Sequence, residues 1–177
     1  MNAILYPGSF DPITRGHINV ISRLREHFDR VVVLVADSPR KNYFFSQVER
    51  KNLILEALDE FSSTKKSSRR IGQVDVEISN RLTVEFAKQE GIQLIARSVR
   101  TVADWEYEYA MADANKKLSP EIETFFIMAS SDYGFVSSSL VREVAQFGGD
   151  TRAFVPTCVA QALKKRVKED KSARQRK

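Results

Sequence analysis

Arg30-Val31-Val32-Val33-Leu34-Val35-Ala36 places five aliphatic residues in a row, four of them β-branched and therefore stiff in the extended form. A strand with one wet face alternates apolar and polar residues. An unbroken apolar run is instead covered on both faces, as strands of a parallel sheet are when helices pack above and below. Upstream, Ala3 to Tyr6 reads as a short buried strand ending in a Pro7-Gly8 turn. Ile18, Ile21, Leu24 and Phe28 then recur at helical spacing. Downstream, Ser46 followed by Glu49 is a capping box that opens a helix to about Phe61.

The alternation continues through the rest of the chain. Val74 to Ile78 reads as a strand, Thr83 to Gln89 as a helix stopped near Gly91, and Leu94 to Ala96 as the start of another strand. Tyr107, Met111, Ala114 and Leu118 stripe a further helix, and Thr124 to Met128 supplies a fifth strand. The last helices start near Ser138 and Pro156, with Gly148-Gly149 between them. Strands joined in this way by helices predict an α/β single domain: a doubly wound five-stranded parallel sheet with helices on both faces, whose ligand site lies at the carboxyl ends of the strands. Residues 62 to 73 are polar and basic and read as a long surface loop.

At 177 residues and 42% hydrophobic, the chain supports one compact core rather than two. No run approaches the roughly 20 apolar residues of a membrane span, and Met1 to Tyr6 lack the form of a signal peptide. A cytoplasmic protein is expected. Cys158 is the only cysteine, so neither an intrachain disulfide nor a multi-thiolate metal site is available. The net charge of +5 is concentrated at the end: residues 164 to 177 carry eight basic against two acidic residues, which leaves −1 for everything before them. The domain is therefore expected to span residues 1–165, with 166–177 a basic, flexible and solvated tail.

The loop leaving the first strand reads Tyr6-Pro7-Gly8-Ser9-Phe10-Asp11-Pro12-Ile13-Thr14-Arg15-Gly16-His17. Gly8 and Gly16 would let the backbone approach an anion closely, and the amides and positive dipole end of the helix start favour negative charge. A Gly-His pair by itself could equally serve only to fit a helix against the sheet. The whole stretch, however, resembles the signature of nucleotidyltransferases with a (Thr/His)-x-Gly-His motif, matched by Thr14-Arg15-Gly16-His17. That resemblance implies a Rossmann-like fold in which His17 stabilises charge at the α-phosphate of a nucleotide while an acceptor phosphate attacks in line. The acceptor is already an anion, so such a reaction needs positioning and charge neutralisation more than a base.

Later segments resemble the bacterial pantetheine-phosphate adenylyltransferases. They include Ser38-Pro39-Arg40-Lys41 after the second strand, Arg97-Ser98-Val99-Arg100 after the fourth, the run from Ala103 to Tyr109, the run from Tyr133 to Glu143, and Phe154-Val155-Pro156. The likeness runs in order from Ala3 to about Lys165 and implies transfer of AMP from ATP to 4′-phosphopantetheine, giving dephospho-coenzyme A and pyrophosphate. On the same resemblance, Ser9 and Lys41 contact phosphates of acceptor and ATP, Arg97 binds the phosphopantetheine phosphate, and Arg100 clamps the triphosphate. His17, Lys41 and Arg100 are then the expected catalytic set. Leu82 and Thr83 match positions lining the pantetheine arm. Phe10, Ser98, Val99, Glu108, Tyr133, Gly134, Phe135, Val136, Ser137, Ser138 and Ser139 match nucleotide-contacting positions. Guanidinium groups suit paired bonding to phosphate and a lysine suits a mobile point charge, although each cation taken singly would read as a solvated surface residue. The resemblance further implies Mg²⁺ arriving with ATP and no metal held by the protein, a homohexamer, and feedback inhibition by coenzyme A.

Between the two arginines the family usually has Gly-Leu, whereas this chain has Ser98-Val99. If the site requires a positive φ, Ser98 carries strain; otherwise its hydroxyl adds a contact. Two competing readings are the same chemistry with another acceptor, glycerol 3-phosphate with CTP or nicotinamide mononucleotide with ATP, and a nucleic-acid-binding protein that uses the basic tail.

Overall fold

The computed structural model describes residues 2–39, 41–64 and 71–174. In chain order these form β1 (Ala3–Gly8), α1 (Arg15–Leu24), β2 (Arg30–Ala36), α2 (Gln47–Thr64), β3 (Gln73–Ser79), α3 (Thr83–Gln89), β4 (Leu94–Val99), α4 (Val102–Leu118), β5 (Glu123–Met128), a 3₁₀ turn (Ser131–Tyr133), α5 (Ser138–Gln146) and α6 (Thr157–Arg174). The five strands make one parallel sheet in the order β3-β2-β1-β4-β5. This is the doubly wound arrangement expected from the sequence.

Period-2 alternation along the strands divides the core into two layers. Ile4 and Tyr6 of β1 and Val31, Val33 and Val35 of β2 pack with Ile18, Ile21 and Leu24 of α1, Ile54 and Ala57 of α2, Val141 of α5, and Val159 and Leu163 of α6. Leu5, Val32 and Leu34 face the other way, against Val84 and Ala87 of α3. Both faces of β2 are thus fully buried, the environment its unbroken aliphatic run requires. On the α3 side α4 also lies against the sheet, where Trp105 meets Phe126 of β5 with ring centroids 4.7 Å apart.

Four boundaries depart from expectation. β1 does not turn at Pro7: Pro7 pairs opposite Leu34 and Gly8 opposite Val35. The Pro7 carbonyl faces β4, where it accepts from Arg97. The proline nitrogen shares that side, on which β1 no longer has a ladder partner, so its missing N–H breaks no bond. α2 extends to Thr64 rather than Phe61, with the Ser62 hydroxyl donating to the Leu58 carbonyl one turn back; of the expected 62–73 loop, residues 65–70 lie outside those described. β4 continues through Arg97, Ser98 and Val99, which pair with Phe126, Ile127 and Met128.

The fourth departure concerns the tail. α6 shows no break at Lys165 and continues as helix to Arg174. Val159, Leu163 and Val167 recur every four residues and pack into the same cluster. Arg166 bonds to Glu49 and sets its guanidinium 5.3 Å from the centre of the Phe45 ring. The helix continues through residues 166–174, docked at Arg166 and Val167 and exposed over residues 168–172; residues 175–177 lie outside the described part.

Candidate active site

β1 and β4 share a single register pair, Leu5 opposite Ile95, while β1 stays paired with β2 up to Gly8. The two central strands therefore part toward their carboxyl ends, at the point where the strand order reverses. A cleft of about 460 Å³ opens there. Its walls come from the β1–α1 loop, the segment around Lys41, the end of β4, the start of α4, and the Tyr133–Arg142 region.

His17 stands at the third position of α1, whose N-cap is Thr14. The Thr14 hydroxyl accepts from the His17 backbone N–H at 3.3 Å, and the Thr14 backbone N–H donates to His17 Nδ1 at 3.0 Å. An imidazole nitrogen that accepts an amide proton carries none itself, so the neutral ring holds its proton on Nε2. Burial of the ring, assisted by the nearby Arg100 cation, pushes the His17 pKa down to about 4. The cleft is thus lined by a neutral imidazole whose Nε2–H is a fixed donor. The glycines of the loop are also packing positions. A Cβ on Gly8 would meet the Phe10 ring at 2.8 Å, and one on Gly16 would meet Tyr133 Cβ at 3.3 Å. They make room for side chains that wall the cleft, with Phe10 held at φ 45 so that its ring turns back to pack edge-on against His17, centroids 5.1 Å apart.

Two arginines enter from the β4 side, each oriented by a carboxylate of α4. Arg97 donates through Nε and Nη2 to Glu108 at 2.5 and 2.8 Å and through Nη1 to the Pro7 carbonyl at 2.9 Å. Arg100 donates through Nε and Nη2 to Asp104 at 2.9 and 3.1 Å and through Nη1 to the Val136 carbonyl at 2.9 Å. Fixing a guanidinium in this way lowers the entropy lost when an anion arrives. α5 also starts at the cleft, capped by Ser137 and tied to the β1–α1 loop by the Ser138 hydroxyl on the Pro12 carbonyl at 2.8 Å. Two helix starts, those of α1 and α5, therefore present their positive ends to one cavity.

Beneath these groups lies a network that the sequence reading did not single out. Arg50 of α2 is fully buried. It donates to the Ser9 carbonyl at 2.8 Å, to Asp37 at 2.6 Å and to the Phe45 carbonyl at 3.0 Å, and lies 4.3 Å from the centre of the Tyr43 ring. The Asp11 carboxylate, also buried, accepts the Phe44 and Phe45 amides at 2.8 and 2.9 Å, and Arg142 bonds to the Asp11 carbonyl. Together they lock the Ser9 loop against the segment that carries Lys41. One signal could have found Arg50: it falls on the stripe of Leu53, Ile54 and Ala57, the buried face of α2.

Of the expected residues, Ser9, Phe10, His17, Lys41, Arg97, Ser98, Arg100, Glu108, Tyr133, Val136, Ser137, Ser138 and Ser139 line this one cleft. Leu82, Thr83, Val99, Gly134 and Phe135 do not. Val99 points into the core, Phe135 is exposed with its ring against Phe154, and Leu82 and Thr83 open α3 after β3. Ser98 sits in ordinary strand backbone and its hydroxyl lies 3.3 Å from the Tyr6 hydroxyl; among the described residues Phe10 alone of the non-glycines has a positive φ, so Ser98 carries no such strain. Tyr6, Asp104, Tyr107 and Arg142 line the cleft without having been named as site residues. Among the described residues no three His, Cys, Asp or Glu side chains are grouped to hold a metal ion.

Comparison with known proteins agrees with this geometry. Residues 5–144 match the model of the cytidylyltransferase-like family. The chain is 45% identical over 167 residues to the phosphopantetheine adenylyltransferase of Thermotoga neapolitana, covering 94% of this chain and 98% of that one. It is 43% identical over 166 residues to the phosphopantetheine adenylyltransferase of Alkaliphilus metalliredigens, covering 94% and 99%. In fold it is similar to the Plasmodium falciparum nicotinic acid mononucleotide adenylyltransferase complexed with NaAD, with a TM-score of 0.68 at 16% identity over 93% of this chain and 95% of that one. With near-complete coverage at such identity, and with the motif histidine and both arginines gathered in one cleft, the chain belongs to the phosphopantetheine adenylyltransferases of the cytidylyltransferase-like family.

Proposed function

We propose that this chain transfers AMP from ATP to 4′-phosphopantetheine, forming dephospho-coenzyme A and pyrophosphate, by direct in-line displacement. The observation that carries this reading is the fixed Nε2–H of a neutral His17 beside Arg97 and Arg100 at the mouth of two helix starts. A phosphate oxygen of the acceptor attacks the α-phosphorus of ATP, the bond to the bridging oxygen breaks, and pyrophosphate leaves with its electron pair. No proton need be abstracted, so a histidine that cannot act as a base at neutral pH is suited to the task. His17 donates to an α-phosphate oxygen as charge builds there. Arg100 and Lys41 hold the β- and γ-phosphates, Arg97 and Ser9 hold the acceptor phosphate, and Tyr133, Val136 and Ser137 to Ser139 border the nucleoside. The cleft carboxylates Asp104 and Glu108 are already engaged by arginines, so Mg²⁺ enters on the ATP phosphates rather than in a protein cage.

The exposed apolar side chains of α4 and β5 favour self-association, and a homohexamer is the assembly proposed. Coenzyme A carries both the pantetheine arm and an adenylyl group of the product, so it would compete at the same cleft. A cytoplasmic location follows from the use of ATP; among the described residues no helix is long and apolar enough to cross a membrane. The test is pyrophosphate release with ATP, Mg²⁺ and 4′-phosphopantetheine, run beside CTP with glycerol 3-phosphate and ATP with nicotinamide mononucleotide. Release confined to phosphopantetheine is expected. Release confined to another acceptor would keep the displacement and overturn the substrate.

A further inference from the structure

The positive charge of the chain is built into a second cavity, away from the catalytic cleft. A groove of about 680 Å³ runs between α6 and the Gly148–Arg152 loop. Lys164, Lys168 and Lys171 follow one another at intervals of four and three residues and so share one face of α6; all three line the groove. Arg152 lines it from the loop. The only acidic residue in the lining is Asp150, and Arg152 already holds it, pulling its pKa down to about 2. The three lysines are exposed and, among the described residues, make no ion pair or hydrogen bond. Ala145, Ala160, Leu163 and Val167 supply apolar lining.

These positions are not a frayed end. Val167 and the Arg166–Glu49 bond anchor α6 to the body between Lys164 and Lys168, and Lys171 follows within one further turn of the same helix. Since the chain before residue 164 is close to neutral, an anion is drawn to this side of the molecule by local rather than overall charge. From Lys164 to Lys171 the helix rises by seven steps, about 10 Å. That length suits a short run of phosphates and is too short to engage the many backbone phosphates that give nucleic-acid binding its strength. The concavity and apolar lining likewise fit a small molecule rather than a flat membrane surface.

We propose that this groove is a second anion site, which takes a small molecule bearing a di- or triphosphate on Lys164, Lys168 and Lys171 with its uncharged part against Leu163 and Val167. Inorganic triphosphate is the probe, titrated calorimetrically into the full-length protein. Two classes of site per chain are expected, one of them the catalytic cleft. The triple variant Lys164→Gln, Lys168→Gln, Lys171→Gln should lose one class or weaken it by at least about tenfold, with a shallower dependence on salt, while its melting temperature and its pyrophosphate release stay at wild-type values. A single class in the wild type that the variant leaves unchanged would overturn the site. A 20-nucleotide single strand that binds through these lysines where triphosphate does not would also overturn it, in favour of nucleic acid. Because the readout is binding stoichiometry, it stands or falls independently of the reaction proposed for the cleft.

Discussion

The Thr14 backbone N–H donates to His17 Nδ1 at 3.0 Å, so the same bond that caps α1 also decides which ring nitrogen faces the cleft. Protonating Nδ1 would break the cap, and burial already disfavours the cation; the pKa falls to about 4. The rate should therefore show no loss with the usual histidine midpoint near 6.5. Any acid limb assigned to His17 belongs near pH 4, and a limb near 6.5 that vanishes in a His17 variant would contradict the neutral-donor role. Stability follows the sign of the shift. The folded value lies below the unfolded one, so the contribution of His17 to stability is complete above pH 6.5 and is lost as pH falls toward 4.

His17→Ala should fold, since only one half of the capping box is removed, while turnover drops by about 10²- to 10³-fold, the scale for one preorganised donor to a transition-state oxyanion. Because the interaction forms mainly in the transition state, kcat should fall more than KM rises. Turnover equal to wild type would remove His17 from the mechanism.

Arg50 makes a different prediction. It does not itself line the cleft, yet it holds the Ser9 carbonyl and the Phe45 carbonyl that frame the Lys41 segment. Arg50→Met leaves Asp37 and two carbonyls without a donor, and the cost is about 3 kcal/mol, the lower end for a broken buried pair since Asp37 is one-third exposed. Arg50→Lys keeps the charge but cannot reach in three directions at once. It should fold, with kcat/KM measured well below its melting temperature reduced about tenfold, because small displacements of phosphate-binding groups are costly. A lowered melting temperature with unchanged kcat/KM would make Arg50 purely structural.

Much of the fold was legible because its signals are local. β2 and α3 fall where their residues predict, since an unbroken aliphatic run and a short amphipathic stretch bounded by Gly91 admit few alternatives. The misreadings occur where tertiary partners extend an element. Pro7 stays in β1 because β4 has parted from it, Arg97 stays in β4 because β5 pairs there, and Val167 draws a polar, basic stretch into α6. The cleft's cations were recognisable from the resemblance, but the carboxylate partner of Arg97 was not. That Arg97 meets Glu108 depends on how α4 crosses the end of β4, which no spacing in the sequence encodes, whereas Arg100 and Asp104 stand four residues apart, a spacing that was there to be read.

Ser98 needs no left-handed backbone, and its hydroxyl lies 3.3 Å from the buried Tyr6 hydroxyl, whose pKa burial raises. Ser98→Gly should therefore destabilise the protein by about 1–2 kcal/mol, from added backbone freedom in a strand and the loss of one hydrogen bond. Relief of strain is not expected, so the KM for ATP should not improve. A KM lowered about tenfold in Ser98→Gly would show that the side chain obstructs the nucleotide.

Met111 and Leu118, part of the stripe read from the sequence on this helix, are exposed in the single chain, and no residue of α4 is buried. Met128, on the α4 side of the edge strand β5, is likewise 62% exposed. Exposed apolar side chains on this helix and on the same side of the adjoining sheet edge are the surface that the proposed contact between copies would cover. A second copy is the occupant consistent with the proposed homohexamer, since a closed ring of copies also hides the open edge of β5 from further pairing. Met111→Glu together with Met128→Glu should place like charges in that contact and convert the assembly to a smaller species, read as mass by light scattering after size exclusion. The monomer fold should persist, because neither side chain belongs to the buried core. If the double variant keeps the wild-type mass, the α4–β5 face is not the contact between copies.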